Sequence, residues 1–176
     1  MVTLMNSSVI RMFLFATKFV NMAGNTTLTM IKPGAVRRNL IGPILGMITE
    51  HGFKVEALKL TKLSARQAAK FYEVHRGKPF YDGLVNYMSS GPIVAAIIRK
   101  DNAVAEFREL IGNTDPEKAS EGTIRKLFAE SLSHNAVHGS DSDENAAKEA
   151  AFFFSETERF CPEEWHCDED MEAYPQ

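Results

Sequence analysis

Along this 176-residue chain the apolar positions fall into short runs whose period switches repeatedly between two and nearly four. Thr26–Ile31 is a strand-like run stopped by Lys32-Pro33-Gly34, which leaves Lys32 at the strand's end. Leu40, Ile44, Met47 and Ile48 recur at helical spacing and predict a helix over Asn39–His51, closed by Gly52. Phe53–Leu63 alternates and then shifts phase at Leu58 and Leu60, predicting a strand with a change of face or a bulge. Ser64 is an N-cap for a helix running to about Val74. Pro79–Met88 predicts a further short helix, which Gly91-Pro92 separates from the apolar strand Ile93–Ile98. A helix over Asn102–Ile111 precedes Gly112–Gly122, an irregular segment of a length that in a compact domain marks function or disorder. Thr123–Ser131 predicts another helix, Ala136–His138 ends a short strand, and Asp143–Phe154 is the last amphipathic helix. The order β-α-β-α-β-α-β with extra helices is that of an α+β fold. It fits an α/β sandwich whose ferredoxin-like four-stranded antiparallel sheet is covered by helices.

Composition keeps this to one domain: 44% hydrophobic and 24% charged residues are ordinary for a globular chain of 19.6 kDa, without repeats or an interior linker. The charge is unevenly placed. Residues 156–176 hold eight acidic side chains and one basic, leaving 19 basic against 15 acidic over residues 1–155. A mildly basic body suits a polyanionic small ligand, while the acidic tail reads as solvated. Cys161 and Cys167 sit in that tail at a spacing that matches no zinc knuckle, and free thiols are expected. The first 49 residues contain no Asp or Glu, and Val9–Val20 is largely apolar, but Arg11 and Lys18 interrupt the run and speak against a transmembrane helix and a secretory signal. An organellar presequence is one reading of residues 1–24; a start at Met22, with residues 1–21 as upstream or leader sequence, is the one we favour. The expected division is an N-terminal extension over 1–24, a domain over 25–155 and an acidic tail over 156–176.

Chemistry concentrates in Asn135-Ala136-Val137-His138-Gly139-Ser140-Asp141. An imidazole is nucleophilic near neutral pH and can return a phosphoryl group from nitrogen, so His138 is a candidate phosphohistidine. A hydrogen-bonded turn around His138 is the plainer alternative. Phosphoryl transfer also needs positive charge to hold the phosphates, and Lys32, Arg108 and Arg125 are candidates for that cradle, although each alone reads as a surface charge.

These residues, with Lys78-Pro79-Phe80-Tyr81, Gly112-Asn113-Thr114-Asp115-Pro116 and Gly122-Thr123-Ile124-Arg125, occur in the order of a known family. Over about residues 26–155 the chain resembles nucleoside diphosphate kinase. The resemblance implies ping-pong transfer of the γ-phosphate of a nucleoside triphosphate, mainly ATP, to a nucleoside diphosphate through His138, maintaining NTP and dNTP pools. It implies Lys32, Arg108, Thr114 and Arg125 on the phosphates, Asn135 on the ribose, and Phe80 with Leu132 as the walls that sandwich the base. Stacking of this kind reads every base alike. It further implies Tyr72 beside the transferred phosphate, Glu149 holding the second imidazole nitrogen, and Ser140 near by. Mg2+ is the implied cofactor, carried on the β- and γ-phosphates with no committed protein ligand, Asp141 reaching it through water. A cytoplasmic homo-oligomer, tetramer or hexamer, is implied as well, with neither membrane nor nucleic acid as a partner.

The chain departs from the family where Gly34-Ala35 stands for the more frequent Asp-Gly and Ser120-Glu121 for Ala-Pro. The first suits a turn; the second puts a charge in a loop that forms subunit contacts in the family. A catalytically idle nucleotide-binding or scaffold protein is the competing class, but it would lack the nucleophile or its supports, and none is missing here.

Overall fold

The computed structural model describes residues 24–160; the earlier residues, with the Met22 start, and the tail beyond Phe160, with both cysteines, lie outside the described residues. In chain order the elements are β1 (Thr26–Ile31), α1 (Pro33–Arg37), α2 (Ile41–Glu50), β2 (Lys54–Lys62), α3 (Ala65–Phe71), α4 (Tyr81–Ser89), β3 (Pro92–Arg99), α5 (Ala103–Ile111), α6 (Ile124–Phe128), β4 (Val137–Gly139) and α7 (Asp143–Phe153). The strands form one sheet in the order β2-β3-β1-β4, and every pairing is antiparallel. This is the ferredoxin-like sheet that the element order predicts.

Burial explains why β3 is a nearly continuous apolar run; β1, in which threonines stand among Leu28, Met30 and Ile31, is buried as deeply. Both are central, and successive side chains enter opposite cores. Val94, Ala96 and Ile98 pack with Ile44 and Ile48 of α2 and Phe107 and Ile111 of α5 on one face. Ile93, Ala95 and Ile97 pack with Met88 of α4 and Ala150 and Phe153 of α7 on the other. Each large side chain so buried contributes about 1.5–3 kcal/mol, and the two cores together fix the sheet that carries the short β4.

The irregularity expected in the second strand is a bulge between Val55 and Ala57. There Glu56 turns inward and pairs with Arg99. Ser64 caps α3 through a reciprocal capping box with Gln67. Lys32-Pro33-Gly34, read as a stop, also starts a helix: Pro33 occupies the first turn of α1, where a missing N–H costs nothing and its fixed φ is already helical. The helix expected to reach Ser131 ends at Phe128, because Ala129 takes an extended conformation and the chain turns toward β4. Past α7 a single 3-10 turn, Glu156–Glu158, leads to Phe160, whose N–H donates to the Glu56 carbonyl at 2.9 Å.

Candidate active site

β4 is only three residues long, and its middle residue is His138, paired with Met30 of β1. Thr29 Oγ1 donates to the His138 carbonyl at 2.9 Å, tying the backbone under the imidazole. The ring is partly buried among aromatic edges: Phe71 lies 5.4 Å away and Tyr72 6.0 Å, both nearly perpendicular to it. From α7, Glu149 brings Oε2 to 2.9 Å from His138 Nε2, and the same oxygen accepts from Ser140 Oγ at 2.6 Å. A carboxylate there favours a proton on Nε2 and leaves the Nδ1 lone pair free to attack. Tyr72 adds a hydroxyl that is buried without a hydrogen-bond partner in the described residues. Burial first, then the charge of Glu149, pushes its pKa far up, so it stays a neutral phenol.

The entry to β4 brings the cations together. Val137 N–H donates to the Asn135 carbonyl at 2.7 Å across Ala136, whose φ is +64°. That is a γ-turn of the positive-φ form, strained for a residue with a Cβ, and it persists because Lys32 N–H clamps the Ala136 carbonyl at 2.8 Å. The turn aims Asn135 back at Lys32, and Lys32 Nζ donates to its Oδ1 at 2.6 Å. Lys32 is only 5% exposed, and burial, reinforced by the Arg125 charge, lowers its pKa to about 7. Arg125 donates to the carbonyls of Gly112, at 2.8 Å, and Val137, at 3.3 Å, while its buried Nε has no partner among the described residues. Burial and then the charge of Arg108 lower the Arg125 pKa to about 10. Among the described residues none of Lys32, Arg108 and Arg125 has a carboxylate partner. Lys32 and Arg108 each crowd Arg125 with like charge, and basic groups clustered at such a cost suit an anion.

The structure thus brings Lys32 together with Asn135 and Arg125, and His138 together with Ser140, Glu149 and Tyr72. Arg108, whose charge acts on Arg125, is exposed, as is Thr114. Phe80 and Leu132 are also exposed, at 55% and 58%, and neither is part of the core. The pattern in the sequence did not single out Phe71, which braces the His138 ring, or His75, whose ring lies between those of Tyr72 and Phe80. No local signal marks either, since both depend on how α3 packs.

Clustered basic side chains beside a carboxylate-held imidazole, on a ferredoxin-like sandwich, form an arrangement chemically suited to phosphoryl transfer. The comparisons with known proteins narrow the class. Residues 25–159 match the family described as nucleoside diphosphate kinase. The chain is 61% identical over 139 residues to the nucleoside diphosphate kinase of Flavobacterium psychrophilum, covering 79% of this chain and all of that one. It is 58% identical over 132 residues to the enzyme of Chlorobium limicola, covering 75% of this chain and 94% of that one. A crystal structure of the Aquifex aeolicus nucleoside diphosphate kinase superposes with a TM-score of 0.75 at 40% identity, covering 77% of this chain and 98% of that one. The chain belongs to the nucleoside diphosphate kinase family.

Proposed function

We propose that the protein moves the γ-phosphate of a nucleoside triphosphate, chiefly ATP, to a nucleoside diphosphate in two half-reactions through a phosphohistidine on His138. What carries the reading is the shared Glu149 oxygen: with Nε2 held at 2.9 Å, the ring presents Nδ1 as the nucleophile. In the first half-reaction Nδ1 attacks the γ-phosphorus as the bond to the β-phosphate oxygen breaks, and the diphosphate leaves. In the second, a different diphosphate takes the phosphoryl group and the imidazole is restored. Lys32, Arg125, Arg108 and Thr114 hold the phosphates in line, and Asn135, already bonded to Lys32, serves the ribose. Phe80 and Leu132 take the base between them. The neutral Tyr72 hydroxyl supplies a donor that costs no ionisation beside the transferred group.

Magnesium fits this donor set as an ion carried by the nucleotide. The described residues contain no group of three or more His, Cys, Asp or Glu side chains that could hold a metal among themselves. Asp141, kept ionised chiefly by the Asn145 amide, is a single carboxylate suited to contact through water. When bound, the ion would neutralise charge on the β- and γ-phosphates. Cytoplasmic residence, a role in balancing NTP and dNTP pools, and a tetrameric or hexameric assembly complete the reading. No helix among the described residues is long and apolar enough to cross a membrane.

The test is intact-mass analysis after brief incubation with ATP and magnesium, then nucleotide removal and addition of GDP. One acid-labile phosphate per chain, lost on forming GTP, is expected. His138→Ala should fold and show no adduct; wild-type turnover in that variant would overturn the mechanism. A folded, ATP-binding protein with no adduct would mean an idle nucleotide-binding protein.

A further inference from the structure

Three segments that carry candidate site residues meet at one side chain that is not itself among them. Tyr87 lies near the end of α4, the helix whose N-cap is Phe80. Its hydroxyl oxygen accepts the Gly34 N–H at 3.1 Å, two residues past Lys32. Its ring meets the His134 ring edge-on, with centroids 4.4 Å apart, next to Asn135 and two residues past Leu132. His134 is itself fixed, accepting at its carbonyl from Glu130 N–H at 3.0 Å and donating its own N–H to Ser131 Oγ at 3.1 Å. The fit is close from the backbone side as well: a Cβ at Gly34 would lie 2.6 Å from the Tyr87 hydroxyl, which would have to shift. The seat is therefore filled from the tyrosine side and left empty from the backbone side.

We propose that Tyr87 is a positioning residue for nucleotide binding: through Gly34 and His134 it holds the Lys32 and Asn135 end of the cleft at a fixed separation from the Phe80 end. This deepens the phosphotransfer reading and rests on it for what the cleft binds. The hydroxyl acts on the backbone that presents Lys32 and makes no contact with the nucleotide itself. Its loss should therefore weaken binding while leaving the reacting groups in place.

Tyr87→Phe in the full chain keeps the ring against His134 and removes only the acceptor. A neutral hydrogen bond corresponds to roughly a threefold to tenfold change. The dissociation constant for ADP, by calorimetry, should rise by that factor, with kcat changed less than about twofold. Amide exchange at Gly34 should accelerate while exchange in the β1–β3 core does not. Unchanged ADP affinity overturns the proposal, whether or not Gly34 exchange accelerates. Gly34→Ala approaches the same contact from the other side and should weaken ADP binding alike, so the proposal stays testable if one variant fails to fold. Failure of the wild-type protein to form a phosphohistidine would remove the catalytic reading, yet ADP affinity and Gly34 exchange would still decide on Tyr87.

Discussion

Glu149→Gln is the substitution that isolates electrostatics at the nucleophile. It keeps the side chain's volume and an oxygen able to accept from His138 and Ser140, but removes the charge. In the folded protein one oxygen, Oε2, accepts from Nε2 at 2.9 Å and from Ser140 Oγ at 2.6 Å. As the P–N bond forms at Nδ1 the ring gains positive character, so the carboxylate interacts more strongly with the transition state than with the resting imidazole. A hydrogen bond to a charged group is worth about 1.5–3 kcal/mol and a neutral one about 0.5–1.5. The difference, about 1–2 kcal/mol, corresponds to a slowing of roughly fivefold to thirtyfold. The assay is single-turnover quenched-flow with γ-labelled ATP, reading acid-labile protein phosphate against time. The rate at saturating ATP should fall by that factor with little change in the ATP concentration for half-maximal rate. A wild-type phosphorylation rate, or a loss confined to half-saturation, would refute the role of the Glu149 charge in stabilising the imidazole as it is phosphorylated.

Lys32 makes binding sensitive to pH, because its pKa is lowered to about 7 in the nucleotide-free fold against 10.5 in an unfolded chain. Polyphosphate drives the amine back to its charged form, so ADP binding at about pH 8 should take up as much as one proton, and at about pH 6 none; calorimetry in two buffers of different ionisation enthalpy measures this. Between those two pKa values the unfolded chain holds the Lys32 proton and the folded one does not, so this group adds stability as pH rises through that window, and a Lys32→Met variant should lose that slope in urea titrations. Phe80→Ala should leave the melting temperature within a few degrees, as expected of a side chain 55% exposed. It should also raise KM for ADP, GDP, UDP and CDP alike, by about 5–150-fold for one stacked base, whereas discrimination among them would refute simple stacking. Gly139→Ala forces a Cβ to within 2.9 Å of the Phe107 ring and 3.1 Å of Ile111, and should cost about 1–3 kcal/mol in the urea midpoint without altering the m-value.

The strands and long helices were legible because their periods arise directly from burial: β3 reads as an apolar run since both its faces are covered, and the β2 phase shift is a real bulge. Helix α1 was not, since Pro33-Gly34 carries the same residues as a stop, and only the packing of the next turn tells an end from a beginning. The candidate site was legible as an ordered set of motifs and as candidate chemistry, but not in its spatial pairings. Lys32 and Asn135 are 103 residues apart in sequence and 2.6 Å apart in space. Glu149 reads as a solvent-facing residue on a polar helix until α7 is seen to pack on β1. Nothing in Ala136 announces a positive φ, because alanine has no preference for one, and Tyr87 gains its contacts only from three segments meeting.

On the proposed reading, the contrast between the phosphate end and the base end of the site bears on how long a nucleotide stays. Charge and buried donors converge at the phosphate end, whereas Phe80 and Leu132 remain more than half exposed. An exposed wall has area to shed on closing over a base, but a single stack is worth only about 1–3 kcal/mol, so most of the hold on a nucleotide falls to the phosphate end. In a two-step exchange the first nucleotide must leave before the second can enter, and tighter walls would lengthen residence until release limited turnover. Filling the gap with larger apolar side chains should therefore sharpen affinity and slow the enzyme together.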